Sequence, residues 1–149
     1  MTATNHALTG AVIGMVVSNP WIAVPTALVS HFVCDAIPHF GMGKEFIRTK
    51  AFRNFLIFDA ALCIVLVLFL GMVQPAYWML AAVCAFVATS PDLLWIPLYK
   101  KSLQGKGYTF TGFYKFAADI QWFERPIGGI VELLWFFAAT FIVISLTLL

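Results

Sequence analysis

The feature that most constrains the fold is a set of three long apolar runs, at residues 55–73, 76–99 and 127–149. An α-helix rises about 1.5 Å per residue, so roughly 20 apolar residues cross the hydrocarbon core of a bilayer. Hydrophobic residues make up 62% of the 149 residues and charged residues only 11%, a composition that excludes an ordinary soluble domain. The sequence therefore predicts an all-α integral membrane protein.

Two shorter apolar runs, at residues 7–17 and 21–38, come before the long ones. Ser18, Asn19 and Pro20 form a turn signal between them, so we expect a helical hairpin that either crosses the membrane or enters it and returns. We predict a single membrane-embedded domain over residues 1–149, a polytopic helical bundle with about five hydrophobic segments. The opening MTATNH lacks the basic region of a secretory signal, so we expect the N-terminus to be retained.

Positive charge is confined to two loops of the predicted topology. All nine lysines and arginines lie between the second and third segments or between the fourth and fifth. The positive-inside rule places both loops in the cytoplasm, so we expect a cytoplasmic N-terminus and a C-terminus outside. Because this topological role explains the basic residues, we expect no nucleic-acid partner.

The second of these loops contains FTGFYKFAADIQWFER, in which aromatic and aliphatic residues recur at helical spacing among charged ones. This pattern predicts an amphipathic helix at the cytoplasmic interface. Two interpretations remain open: the helix anchors the loop in the headgroup layer, or it controls access of a substrate.

The stretch SHFVCDAIPHF places His31, Asp35 and His39 at four-residue intervals inside an apolar segment. His31 and Asp35 lie one helical turn apart and can bind one ion together, while Pro38 ends the helix just before His39. Mixed imidazole and carboxylate ligands suit zinc, and also manganese or iron, better than calcium or magnesium. The three cysteines lack CxxC spacing, so we expect free thiols rather than a zinc–thiolate site.

Other ionisable residues of the apolar segments fall near the same predicted face of the membrane. They continue stripes of small residues, such as Gly10 and Gly14 after His6, which places them inside the bundle rather than against lipid. Buried carboxylates need a proton or a bound cation to compensate their charge, and the histidines favour a cation. The candidate metal ligands are His6, His31, Asp35, His39 and Asp92, and the candidate general bases are Asp59 and Glu132.

Three pieces, NHALTGAVIG, SHFVCDAIPHF and SPDLLW, resemble motifs of the small multipass bacterial membrane-bound metal-dependent hydrolases. The resemblance covers about a third of the chain and implies that His6, His31, Asp35 and Asp92 are metal ligands. It also implies residence in the bacterial inner membrane. The usual Pro-Asp-x-Asp-His run of that family is reduced here to Ser90-Pro91-Asp92. Two interpretations of this difference remain open: the ligand set is rearranged, or the hydrolytic activity has been lost.

These observations favour a metallohydrolase that acts on an amphiphilic substrate, such as a phosphoester or a lipid-linked molecule, at the cytoplasmic face. Two alternatives remain. A transporter of protons or divalent cations would use the same buried residues, and a non-catalytic scaffold would need them only to fix helix register. Gly10-x-x-x-Gly14 is compatible with an oligomer, although packing within one chain is the simpler use of this motif.

Overall fold

The computed structural model describes residues 1–42, 44–107 and 109–148, without the side chains of residues 44 and 45. Its regular secondary structure within these ranges is helical, apart from an isolated β-bridge between His39 and Glu124. The helices in chain order are α1 (Ala3–Val16), α2 (Pro20–Ala36), α3 (Lys44–Ile47), α4 (Lys50–Val73), α5 (Trp78–Leu93), α6 (Ile96–Leu103), α7 (Phe113–Ile120) and α8 (Gly128–Thr147).

Three helical stretches among the described residues are long and apolar enough to cross a membrane. They are Lys50–Val73, Trp78–Leu103 and Gly128–Thr147, the second of which combines α5 and α6. This confirms the three long predicted segments, except for Leu149, which lies outside the described residues. The two shorter segments form α1 and α2, of 14 and 17 residues, so only three of about five predicted segments reach the length of a span.

Helix α1 lies at the centre of the bundle and packs against α2, α4, α5 and α8. It has no strongly polar face, and residues around its whole circumference are buried, as expected for a helix enclosed on all sides. Close approach to α5 depends on glycine. A Cβ added to Gly10 would lie 2.7 Å from the carbonyl carbon of Cys84 and 2.9 Å from the Cα of Ala85. Gly10 therefore contributes to packing within the chain.

The hairpin between α1 and α2 has the turn that the sequence predicts. The side chain of Asn19 accepts a hydrogen bond from the backbone N–H of Trp21 at 3.0 Å, and Pro20 occupies the first position of α2. Helix α2 ends at Ala36, and Ile37 is extended because the following proline disfavours helical geometry there. His39 consequently leaves the axis of the helix.

Large apolar side chains cover the outer surface of the candidate spans. Such exposure is costly in water and normal against lipid acyl chains, so the surface supports the assignment as a membrane protein. Examples with well over half of their surface exposed are Ile57, Ile64, Leu68, Phe137 and Phe141. The cysteines Cys34, Cys63 and Cys84 are free thiols, as the sequence predicted.

The predicted amphipathic helix is present as α7, which is shorter than the 110–125 segment that suggested it. Helix α7 lies against α2, where the ring of Phe32 contacts Phe113 and Phe116 at centroid distances of 6.1 and 5.6 Å. Tyr114 donates a hydrogen bond from its hydroxyl to the carbonyl of Leu94 at 3.1 Å. These contacts hold the second basic loop beside the end of α2 that carries Asp35.

Candidate metal centre

Three of the predicted ligands meet in the interior of the bundle. His6 of α1 and His31 and Asp35 of α2 place one ligand atom each within 4.8 Å of one another, and each residue is at most 2% exposed. The Nε2 atom of His6 lies 3.1 Å from Oδ1 of Asp35, and Nε2 of His31 lies 3.3 Å from Oδ2. One carboxylate thus lies between two imidazoles, which is a donor set that zinc accepts.

The packing of α1 against α2 brings the two imidazoles together. Their rings stack with centroids 4.0 Å apart and planes inclined by 27°, so both Nε2 atoms face the same carboxylate. On α2, His31 and Asp35 share a face because they are four residues apart. Ala23 and Ala27 continue this face and are fully buried, which lets the neighbouring helices approach closely.

A backbone carbonyl fixes the orientation of His31. Its Nδ1 atom lies 2.8 Å from the carbonyl oxygen of Ala88 on α5. A carbonyl only accepts hydrogen bonds, so Nδ1 carries a proton and Nε2 is the atom turned towards Asp35. Two electron-rich atoms at 3.3 Å require a positive species between or beside them, either a second ring proton or a cation. The same carbonyl–imidazole arrangement orients histidine ligands in metal sites.

His6 presents a related situation on the other side of the carboxylate. Its Nε2 atom faces Asp35, while its Nδ1 atom is buried and has no hydrogen-bond partner in the described part of the chain. A buried imidazole with an unpaired nitrogen is costly as a purely structural element. The unpaired atom is Nδ1 rather than the Nε2 atom that faces Asp35, so the fit to a divalent cation rests on the three ligand atoms that converge from His6, His31 and Asp35.

Two further groups contact the carboxylate of Asp35. The side-chain amide of Gln121, the residue after α7, donates to Oδ2 at 3.2 Å. The N-terminal ammonium group of Met1 also contacts Oδ1, so part of the charge of this carboxylate is offset within the chain. Gln121 gave no signal in the sequence, because a glutamine in an amphipathic loop is ordinary, and its proximity to Asp35 depends on the packing of α7 against α2.

Asp92 lies at the edge of the cluster rather than inside it. Its Oδ1 atom is 3.9 Å from Nε2 of His31, and its side chain is 32% exposed whereas that of Asp35 is 3% exposed. Asp92 is therefore near the predicted centre, and its side chain is partly exposed. Its assignment as a ligand stays a prediction.

His39 is buried but lies apart from this group. Its Nδ1 atom contacts the carbonyl oxygen of Ile37 at 2.9 Å, and its own carbonyl accepts a hydrogen bond from the N–H of Arg125 at 3.0 Å. The group of three that offers ligand atoms to one ion, among the described residues, does not include it. These bonds fasten the end of α2 to the loop before α8, and ligation by His39 remains a prediction.

Asp59 holds the first turn of α1. Its carboxylate accepts hydrogen bonds from the backbone N–H groups of Ala3 at 2.8 Å and Thr4 at 3.0 Å, and also from the hydroxyl of Thr4. These N–H groups have no partners within the helix, and a carboxylate there interacts favourably with the helix dipole. Asp59 thus acts as a cap supplied by another helix, which positions the turn that carries His6.

Glu132 has a comparable role on the other side of α1. Its Oε2 atom accepts from the N–H of Thr2 at 3.1 Å, and its Oε1 atom accepts from the N–H of Phe40 at 3.0 Å. It therefore ties the start of α1 to the chain after α2. The oxygens of Asp59 and Glu132 are engaged by backbone donors, and the predicted role of these residues as general bases is not tested by this geometry.

Comparison of the chain with protein-family models, with curated proteins and with solved structures gave no match.

Proposed function

We propose that this protein is a membrane-embedded metal-dependent hydrolase whose metal is held by His6, His31 and Asp35. The observation that carries the proposal is the hydrogen bond from Nδ1 of His31 to the carbonyl of Ala88, which directs Nε2 at Asp35. It supports a metal because it turns Nε2 of His31 towards a buried carboxylate, in the orientation that a histidine ligand needs to share an ion with Asp35.

Zinc is the best match for this donor set, since two imidazoles and one carboxylate are typical of catalytic zinc sites with an open position. Such an ion supplies a nucleophilic water at neutral pH and polarises the bond to be cleaved. The side chains of the chain have separate tasks. His6, His31 and Asp35 would hold the ion, Gln121 donates a hydrogen bond to the carboxylate of Asp35, and Asp92 would serve as the general base.

Access to the site supports an amphiphilic substrate. The centre is buried on the sides formed by α1 and α2, and the partly exposed carboxylate of Asp92 marks its open side. Apolar residues of the candidate spans surround this end of the bundle. A substrate with a polar head and an apolar tail can place its head at Asp92 while its tail stays in lipid.

We propose the cytoplasmic side of a bacterial inner membrane for this end, because the basic loops before α4 and after α5 flank it. In the five-segment topology predicted from the sequence, α1 would be enclosed by the other helices, and α2 would lie beside the three spans with one face exposed. Helix α7 would lie in the headgroup layer, where its Phe113 and Phe116 side chains reach the acyl chains.

A transporter receives less support from the distribution of polar groups. The buried polar residues described are concentrated at the end of the bundle that contains Asp35, Asp59 and Glu132. The other half is packed with apolar residues of α1, α4, α5 and α8, including Met15, Leu66 and Leu70. An ion pathway through one chain would lack polar side chains to relay the ion in that half.

The experiment is metal analysis and hydrolysis by detergent-purified protein. We expect about one zinc per chain in the wild type, and loss of the metal in His31→Ala and Asp35→Ala. His39→Ala is the matched control, since it removes another buried imidazole outside the cluster. Wild-type protein that retains its fold and takes up no stoichiometric metal contradicts the proposal.

Asp92→Asn separates binding from catalysis. We expect this variant to keep its metal and to lose hydrolysis of phosphoester and carboxylester amphiphiles presented in mixed micelles. If the wild type binds zinc but cleaves none of these substrates at any zinc content, the protein binds metal and the hydrolase proposal is wrong.

A further inference from the structure

Exposed basic side chains lie together at one end of two candidate spans. The first group precedes or begins α4, and the second occupies the end of α6 and the residues after it. We define the basic surface as these exposed residues: Arg48, Lys50, Arg53, Lys100, Lys101 and Lys106. The two groups are about 50 residues apart in sequence, so their proximity is a property of the fold.

Two contacts join the groups. The Nε atom of Arg48 donates to the hydroxyl of Ser102 at 3.4 Å, and Ser102 is buried beneath the surface. The ring of Phe52 contacts that of Tyr99 in an edge-to-face arrangement with centroids 5.9 Å apart. Arg48 therefore reaches the residue that follows Lys101, and one pair of rings joins the first turn of α4 to α6.

Within the part of the chain whose side chains the structure describes, which does not include that of Glu45, no carboxylate forms an ion pair with the basic surface. Among the described side chains, the ion pair between a lysine or arginine and a carboxylate joins Lys115 to Asp119, on α7 and away from this surface. Several like charges at close range repel one another, and they stabilise the fold only when anions are present. The surface is thus suited to a partner that carries negative charge.

A layer of aromatic rings underlies these cations. Phe52 contacts Phe46 at 5.7 Å and Phe55 at 6.5 Å, and Phe55 in turn contacts Phe40 at 6.3 Å. The rings are half-buried, and they stand between the cations and the apolar length of α4. Across the headgroup and glycerol region of a bilayer, basic side chains lie near the phosphates and aromatic side chains lie just below them. The basic surface and its aromatic layer follow the same order.

We propose that the basic surface binds an anionic phospholipid, with the phosphodiester at Arg48 and Lys101 and the upper acyl chains against the rings of Phe52 and Phe55. The aromatic layer distinguishes this partner from a free phosphate ion, which would use the cations alone. The site is separate from the candidate metal centre and does not depend on the proposed hydrolysis.

The test measures lipid-dependent thermal stability of the full chain in dodecylmaltoside micelles. Phosphatidylglycerol is titrated against phosphatidylcholine as the neutral control, and inorganic phosphate is titrated in a separate arm. We expect the midpoint of unfolding to rise with phosphatidylglycerol and to be unchanged with the other two. A rise with inorganic phosphate equal to that with phosphatidylglycerol overturns the assignment to a lipid.

Two double variants locate the effect. Arg48→Gln/Lys101→Gln removes two cations of the basic surface, and Lys115→Gln/Arg125→Gln removes two cations elsewhere on the same loops. At about 1 kcal/mol per cation near an anionic surface, we expect the first variant to need about 30-fold more phosphatidylglycerol for the same rise. The second should respond like the wild type. Equal weakening in both variants, or none in the first, overturns the proposal.

Discussion

Replacement of Gly10 by alanine tests whether close packing of α1 against α5 holds the bundle together. The added Cβ would lie 2.7 Å from the carbonyl carbon of Cys84, where ordinary contact begins at 3.4 Å, so the helices must separate by at least about 0.7 Å. The obstacle is backbone, which cannot rotate away as a side chain can. Overpacking of this kind costs about 1–3 kcal/mol, and we place this case at the upper end.

A control is available in Gly71 of α4. The nearest atom to an added Cβ there is a ring carbon of Trp78 at 3.8 Å, an ordinary van der Waals distance. Alanine is favoured over glycine in a helix by up to about 1 kcal/mol, and this gain applies to both variants. We therefore expect a net loss of about 2 kcal/mol for Gly10→Ala, and a gain of up to about 1 kcal/mol for Gly71→Ala.

The assay is thermal unfolding of both variants and the wild type in the same detergent. For a chain of this size, 1 kcal/mol corresponds to a shift of roughly 2–4 °C, so Gly10→Ala should unfold about 4–8 °C lower than the wild type. Metal content should fall as well, because α1 carries His6 and α5 carries the carbonyl of Ala88. Stability of Gly10→Ala equal to or above that of Gly71→Ala would refute the packing argument.

Two further substitutions distinguish the roles of polar side chains around the centre. Gln121→Leu removes the donor to Asp35, so zinc affinity measured by competition with a chelating dye should weaken about 10–100-fold, while Gln104→Leu on the exposed loop after α6 should not change it. Asp59→Asn replaces a charged acceptor of two backbone N–H groups, which should cost about 1.5–3 kcal/mol in thermal unfolding and leave one metal per chain. Unchanged stability with abolished hydrolysis would instead return Asp59 to the role of general base.

The three long candidate spans and the proximity of the candidate ligands were predictable from local sequence. Long apolar runs reveal spans because the bilayer sets a minimum length, and the turn at Asn19 and Pro20 has its own local chemistry. The proximity of His6 to His31 and Asp35 followed from small residues on shared helical faces. These signals are repeated along one helix, so they do not require knowledge of the tertiary arrangement.

The enclosure of α1 and the partners of the ligands were not predictable in this way. From the sequence alone, the apolar helix α1 of 14 residues was predicted as a short membrane segment. Its contacts with α2, α4, α5 and α8 show that other helices surround it. The contact between His31 and the backbone carbonyl of Ala88 cannot be predicted from the sequence, because any residue type supplies a carbonyl. In the sequence, Asp59 and Glu132 have no evident hydrogen-bond partners, so they were predicted as general bases. Their partners are backbone N–H groups of residues far away in sequence.

The central claim is that His6, His31 and Asp35 hold a divalent metal, and X-ray absorption at the zinc edge of the purified, zinc-loaded protein tests it most directly. We predict a coordination shell of nitrogen and oxygen atoms only, at about 2.0–2.1 Å, with the multiple scattering of two imidazoles. His31→Ala should lose the bound zinc and with it this signal, whereas His39→Ala should leave it unchanged. Sulfur ligands, or a shell identical to that of zinc in buffer, would contradict the account.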